Sequence, residues 1–271
     1  MNRPDAGLYE ATKTRMSRRK YSRLAVDAER LARLAVLARD LEADAPGVRI
    51  VVRSEGAGRI FEGRTGYGLI TGAISYAAFI ARDKSEQTAL RIGSCGEWLV
   101  LEATRLGLST CWVAGTFRRA EAESQLGLAP DETLLCVTPL GEADPDLSLK
   151  ERTVKAVMGS RNRKPLAVLC PGVNPSTLAP WQQEALACAR NAPSAVNLQP
   201  WRFDLTDGDR CRIRLVEGKA LPIAYVDLGI CMLHFTLGAL HAGVPGNWVA
   251  APAPHVAAFV PENKPVRHGP A

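Results

Sequence analysis

The sequence has no CxxC pair, no G-x-G-x-x-G or phosphate-loop motif following a strand, and only four histidines. Each absence removes a class of protein. Without paired cysteines, neither a disulfide framework nor a thiolate metal site has a basis, and the seven cysteines, scattered mostly through apolar segments, read as reduced core residues. Gly56-Ala57-Gly58 has the glycines of a nucleotide loop but not the spacing. His234 and His241 lie seven apart on one predicted helix, two turns from each other and with no carboxylate or cysteine cluster beside them, so they read as structural and no metal is expected. The apolar runs Ile74 to Ala81 and Leu166 to Cys170 fall far short of the roughly 20 residues that span a bilayer. Met1 to Asp5 and the charged stretch after it lack a signal peptide's apolar run of about 7–15 residues. The expectation is a cytoplasmic protein with no membrane partner.

A one-signed charge surface is also missing. The net charge is +6, but Lys and Arg are interleaved with Asp and Glu, which argues against a nucleic-acid partner. Two basic clusters remain, Arg15 to Arg23 and Arg161 to Lys164, each large enough for one phosphate and too small for a duplex.

The 271 residues, 46% of them hydrophobic, suffice for a sizeable core. Apolar residues at helical spacing predict a helix over 24–41, stopped by Pro46-Gly47. A strand follows over 48–53, then a glycine-rich turn over 56–66, and two short strands bent near Gly72 over 67–82. A helix is predicted over 84–106, capped at Gly107, then strands over 110–113 and 134–140. The second part reads as a helix over 179–190, strands over 201–206 and 211–216 joined across Asp207-Gly208, and a helix over 227–242 ending at Gly243. Gly93, Ala103, Gly107 and Trp112 recur 136 positions later as Gly229, Ala239, Gly243 and Trp248, an internal duplication. The halves are 1–141 and 176–271, with a connector over 142–175. Neither half alone carries every chemical motif, which favours one intertwined unit.

Two constellations carry chemistry. In an extended Arg15-Met16-Ser17-Arg18-Arg19 segment, Arg15, Ser17 and Arg19 share a face and form a grip for a phosphate and a polyol. Pro193-Ser194-Ala195-Val196-Asn197-Leu198-Gln199-Pro200-Trp201, between a helix and a strand, sets two amides and a hydroxyl between prolines and suits the polar edge of a heterocycle.

The second string resembles the P-S-S-x-N-x-Q-P-W signature of the nitroreductase superfamily, and Arg15-x-Ser17-x-Arg19-x-Tyr21 resembles its R-x-S-x-R-x-F signature. Gly107 to Gly115 is similar to the G-L-G-T-C-W-I-G-G segment that ends the family's central helix. The resemblance implies an α+β nitroreductase-like fold of two intertwined, pseudo-symmetric halves, each a mostly antiparallel sheet flanked by helices. It also implies an FMN site in which Arg15, Ser17 and Arg19 hold phosphate, ribityl and pyrimidine, and Pro193, Ser194, Ala195, Asn197 and Gln199 come from the opposite half. Val113, Ala114 and Gly115 match the backbone beside flavin N5, and Arg161, Arg163 and Lys164 resemble a late phosphate clamp. Arg19 would stabilise charge on the reduced flavin. Ala195 stands where the signature has serine.

The usual order of motifs is not kept. Ala43 to Arg49 stands where the first half should carry the N-x-Q-P-W loop, and the second half has no R-x-S-x-R arm. One FMN per chain, bound between the halves, is therefore expected, with NAD(P)H as hydride donor and a small organic acceptor such as a nitroaromatic or quinone. No residue is assigned as nucleophile or acid. The chain is expected to be a monomer or weak homodimer. A protein that stores FMN without turnover is the alternative, separated from the enzyme by whether NAD(P)H bleaches its flavin. A basic nucleic-acid binder is the third class, marked by colourless protein and salt-dependent binding.

Overall fold

The computed structural model describes residues 7–62, 69–144, 162–207, 210–216, 218 and 222–262. Helices α1 (Leu8–Thr14) and α2 (Ala28–Asp44) lead into strand β1 (Val48–Arg53), the short helix α3 (Ala57–Phe61) and strand β2 (Ser75–Ala81). Helix α4 (Glu86–Arg105), helix α5 (Arg119–Leu126) and strand β3 (Thr133–Leu140) complete the first part. After it come α6 (Leu166–Leu169), α7 (Pro180–Arg190), the hairpin β4 (Trp201–Asp207) and β5 (Arg210–Leu215), α8 (Pro222–His241), β6 (Gly246–Ala250) and β7 (Ala257–Pro261).

The strands form two antiparallel sheets, β1-β2-β3 and β4-β5-β7-β6. Central strand β2 is buried along its whole length, as expected of a strand covered on both faces, and a bulge after Phe79 lets Cys136 and Leu134 face Phe79 and Ile80. The main core draws from both parts, Leu34, Val48, Phe79 and Leu99 joining Trp201, Phe203, Phe235 and Phe259. The chain is thus α+β, with two sheets and their helices around a shared interior.

Helices α4 and α8 build the centre, and their bounds, 86–105 and 222–241, are offset by the same 136 positions as the sequence repeat. Both end alike. Gly107 and Gly243 adopt left-handed φ of 76° and 79°. The Leu108 and Val244 amides donate to the carbonyls of Ala103 and Ala239, at 2.8 and 2.9 Å, and the Gly107 and Gly243 amides to Thr104 and Leu240. These are Schellman caps, which need the conformation that glycine adopts without strain. Helix α8 is long and apolar enough to cross a membrane by length and composition, but 83% of its apolar window is buried inside the protein. A helix that is hydrophobic all round is what a core position demands.

Local chemistry moved several boundaries. Helix α2 starts at Ala28, because Asp27 caps it by accepting the Arg30 amide at 2.9 Å; Leu24, expected inside it, precedes the cap and is 64% exposed. The expected 110–113 strand is reduced to isolated bridges, Thr110 to Ser17 and Val113 to Val137. Of the two strands expected over 67–82 the described residues hold one, β2, plus a bridge from Thr71 to Lys20, while Tyr67 lies outside the described residues. The glycine-rich 56–66 stretch contains α3, and the expected connector contains α6. Helix α8 begins five residues before the expected Asp227. Gly208 of the hairpin turn lies outside the described residues.

Candidate functional site

The N-terminal arm leaves α1 at Arg15 and runs extended alongside the chain that follows α4. The Arg18 amide donates to the Thr110 carbonyl at 2.9 Å and Ser17 bridges Thr110, while the Arg19 carbonyl accepts the Thr71 amide at 2.9 Å. The arm is therefore an extended tie held by isolated bridges to the chain on either side.

The 193–201 loop has a different interior. Ser194 turns its Oγ inward to accept the Gln199 amide at 2.9 Å, and Ala195–Asn197 form a single 3-10 turn. Val196, Asn197 and Gln199 all adopt positive φ, of 44°, 57° and 46°. For a β-branched residue such as Val196 this is a strained conformation, which persists only where the surroundings over-determine it.

Those surroundings can be named. Residues 162–164 are stitched along the loop. The Arg163 Nη1 donates to Asn197 Oδ1 at 2.7 Å, the Lys164 amide to Gln199 Oε1 at 2.8 Å, and the Asn197 and Gln199 side-chain amides both donate to the Asn162 carbonyl, at 2.8 and 3.1 Å. Lys164 Nζ donates to the Leu198 carbonyl at 2.6 Å, and Arg190 anchors the segment from α7 by donating from Nε to the Lys164 carbonyl. Gln199 is buried and committed to these bonds. On the other side of the loop, the Asp227 carboxylate of α8 accepts the Ala195 amide at 3.0 and 3.1 Å, and burial raises its pKa to about 7 even though that bond lowers it.

Arm and loop meet through arginines. The Arg15 side chain is 6% exposed, and the charges of Arg15 and Arg190 act on Arg163, which burial and these like charges push down to about 10. Arg15 Nε and Nη1 are buried with no hydrogen-bond partner among the described residues. Arg163 donates to Asn197 Oδ1 and the Asn191 carbonyl and Arg190 to the Lys164 and Arg163 carbonyls, so Arg15, its buried Nε and Nη1 unpaired among the described residues, is the guanidinium with donors left for an anion.

Behind Arg15 lies a buried carboxylate absent from the sequence expectations. Glu97, on α4 and fully buried, accepts the Trp112 indole N–H at 2.7 Å and the His234 Nε2 at 2.9 Å, and its Oε1 lies 3.7 Å from Arg15 Nε. Gly96 makes room for this, since a Cβ there would fall 2.5 Å from the Trp112 ring, which stacks on Phe79. Burial disfavours a charged His234, but the Cys188 and Glu97 contacts outweigh it and lift the ring to about 9. His241, by contrast, stacks on Tyr9. Asp227 had a signal available: it is the one Asp, Glu, Lys or Arg within α8, and an isolated acid in an apolar helix needs a partner.

Of the residues expected to bind the cofactor, Arg163, Lys164, Asn197 and Gln199 fall in one hydrogen-bonded network, joined to Ala195 and Ser194 through the loop, while Arg15 pairs with Glu97 and acts on Arg163 through its charge. Pro193 opens the same loop and is half-buried. Ser17 and Arg19 lie along the arm. Val113 pairs with Val137 in both directions at 2.9 Å, and the Ala114 carbonyl accepts from Arg119; Gly115 is exposed. Arg161 lies outside the described residues.

The unpaired Arg15 donors suit an anionic group such as a phosphate. In known proteins, the family model described as "Putative TM nitroreductase" matches residues 7–239. A crystal structure of "a putative nitroreductase" from Thermotoga maritima MSB8 is similar at TM-score 0.62 and 19% identity, covering 96% of each chain. A nitroreductase family protein from Clostridium difficile 630 aligns at TM-score 0.45 and 22% identity, over 66% of this chain and 100% of its own. An "FMN-dependent nitroreductase" from Clostridium difficile R20291 aligns at TM-score 0.41 and 19% identity, over 51% and 88%. No curated protein matches the chain.

Proposed function

The chain belongs to the family described as putative TM nitroreductases, and from that premise we propose that it is an oxidoreductase holding one FMN between its two halves, reduced by NAD(P)H and reoxidised by a small organic acceptor. The observation that carries this reading is the buried Arg15 guanidinium, its Nε and Nη1 unpaired among the described residues, in the field of Arg163, which also feels Arg190. A doubly charged phosphate is the ligand such a set accommodates best.

Each residue then has a defined task. Arg15, Arg163 and Arg190 supply positive charge to the phosphate end. Ser17 offers a hydroxyl from the arm, and Arg19, two residues on, places a further guanidinium where charge develops on reduction. Asn197 and Gln199 fix the shape of the loop through residues 162–164, so the loop meets the ring system pre-formed rather than ordering on binding. Ala114 and Gly115, next to Val113 whose own N–H is spent on Val137, offer backbone N–H groups beside the reacting edge. Bound FMN supplies the hydride relay between nicotinamide and acceptor. The protein contributes position and electrostatics.

The test is the visible spectrum of the purified chain before and after anaerobic NADPH or NADH. A yellow protein bleached by either, and recoloured by a nitroaromatic or quinone, is the expected result. Yellow protein that neither nucleotide bleaches would instead make this a flavin-storage protein, and colourless protein that takes up no FMN would remove the flavin reading.

A further inference from the structure

The Glu97–His234 pair breaks the molecule's internal symmetry. The 136-position offset relates Glu97 to Leu233 and His234 to Trp98, and at that equivalent place Trp98 packs against the cluster that contains Leu233. A packed apolar contact therefore serves the helix crossing on one side of the axis, while on the other side a carboxylate and an imidazole are buried with no exposure at all. Burying a charge is costly unless it is paired. The crossing itself does not require the pair.

The charges show what the pair is for. His234 Nε2 meets one Glu97 oxygen at 2.9 Å, and the Trp112 N–H satisfies the other at 2.7 Å. Yet Arg15 Nε also approaches Oε1, to 3.7 Å, on the side of the axis that carries the arm. Arg15 thus has its ε edge in ion-pair range of Glu97 but not hydrogen-bonded to it, and its buried Nε and Nη1 find no hydrogen-bond partner among the described residues. Arg163 repels Arg15, and Glu97 attracts both, with Arg15 within ion-pair distance of it.

We propose that Glu97, oriented by His234 and Trp112, is a positioning residue that fixes the Arg15 guanidinium in the phosphate cradle against repulsion from Arg163. It touches neither phosphate nor ring, and it acts through Arg15. The inference rests on the flavin reading above and adds to it the origin of the preference for a phosphorylated flavin over one without phosphate.

The test compares FMN with riboflavin, which lacks the phosphate, by fluorescence titration of the full chain. Glu97→Gln keeps an acceptor for Trp112 and removes the charge. It is expected to weaken FMN about tenfold and riboflavin less than about twofold. Arg15→Ala is expected to abolish the same preference, and Glu97→Gln added to Arg15→Ala to change it no further. Equal weakening of both flavins would make Glu97 structural only and overturn the proposal, as would an unchanged FMN preference. If Glu97→Gln does not fold, Glu97→Asp keeps the charge but lengthens the gap to Arg15, and a retained preference there is equally contrary. Wild-type chain that binds neither flavin defeats both readings, whereas wild-type preference untouched by Glu97→Gln defeats this one alone.

Discussion

Gly93 and Gly229 face each other where α4 crosses α8, each against the carbonyl three residues before the other. A Cβ on Gly93 would stand 2.1 Å from the Val226 oxygen, and one on Gly229 would stand 2.0 Å from the Leu90 oxygen. The Ser94 hydroxyl closes the contact by donating to the Gly229 carbonyl at 2.9 Å. The reciprocity places the pseudo-twofold axis between these two α-carbons, and everything in the candidate site is measured from helices clamped at that point.

Substituting either glycine should therefore be severe. Gly93→Ala and Gly229→Ala each push a methyl into backbone that has no rotamer to yield, and each is expected to cost at least about 3 kcal/mol in denaturant unfolding. Gly58→Ala is the control, because a Cβ there meets nothing within 4 Å. Comparable losses at all three positions would show that the crossing is not the tight point.

The buried His234–Glu97 pair should shape stability at alkaline pH. With the folded ring titrating near 9 and an unfolded histidine near 6.5, its contribution is complete below about pH 6.5 and is lost as pH rises through 9. Unfolding free energy is expected to fall by on the order of 2–3 kcal/mol across that window. His234→Gln should flatten the fall; an identical slope in the variant would mean that another group is responsible.

Asp227 gives a second, lower window. Its carboxyl is raised to about 7, against roughly 3.9 when unfolded, so the fold favours the neutral acid. The stability it lends is full below about pH 4 and is lost as pH climbs through 7. Asp227→Asn, neutral throughout, should lose this part of the pH dependence between 4 and 7 while retaining the alkaline one. A wild-type profile flat from pH 4 to 7 would contradict the assignment.

Flavin content is the simplest measurement. The described arm and loop supply one cradle, and the first half has only Ala45-Pro46-Gly47 between α2 and β1 where a second loop would stand. FMN released by denaturation should approach one per chain. A value near two would require a second site.

The helix pair was legible in the sequence because close packing leaves residue types no freedom: glycine at the crossing, alanine and glycine at the caps, all at one offset. The arm and the loop were legible for a similar reason, since several polar residues at fixed spacing have few other uses. Helices α1, α3 and α5 were not, being short segments whose burial is decided by neighbours distant in sequence. Strands β6 and β7 were missed because they follow the last helix in a stretch with weak alternation. Glu97 was hidden for another reason. Its partners, at positions 15, 112 and 234, are brought together only by the helix crossing, and nothing local marks it beyond one acid in an apolar face. Gln199 was recognised by type, but its engagement with residues 162–164 depends on how a segment far back in the chain returns to the loop.

The unequal pairing across the axis has a consequence for how such a protein can change. In an assembly of two identical chains, every position near the axis is written once and used twice, so a carboxylate at one place and a leucine at its mate cannot coexist. Here position 97 and position 233 are written separately. A substitution on one side leaves the other untouched, and the two sides are free to diverge, one toward holding a ligand and the other toward simple packing.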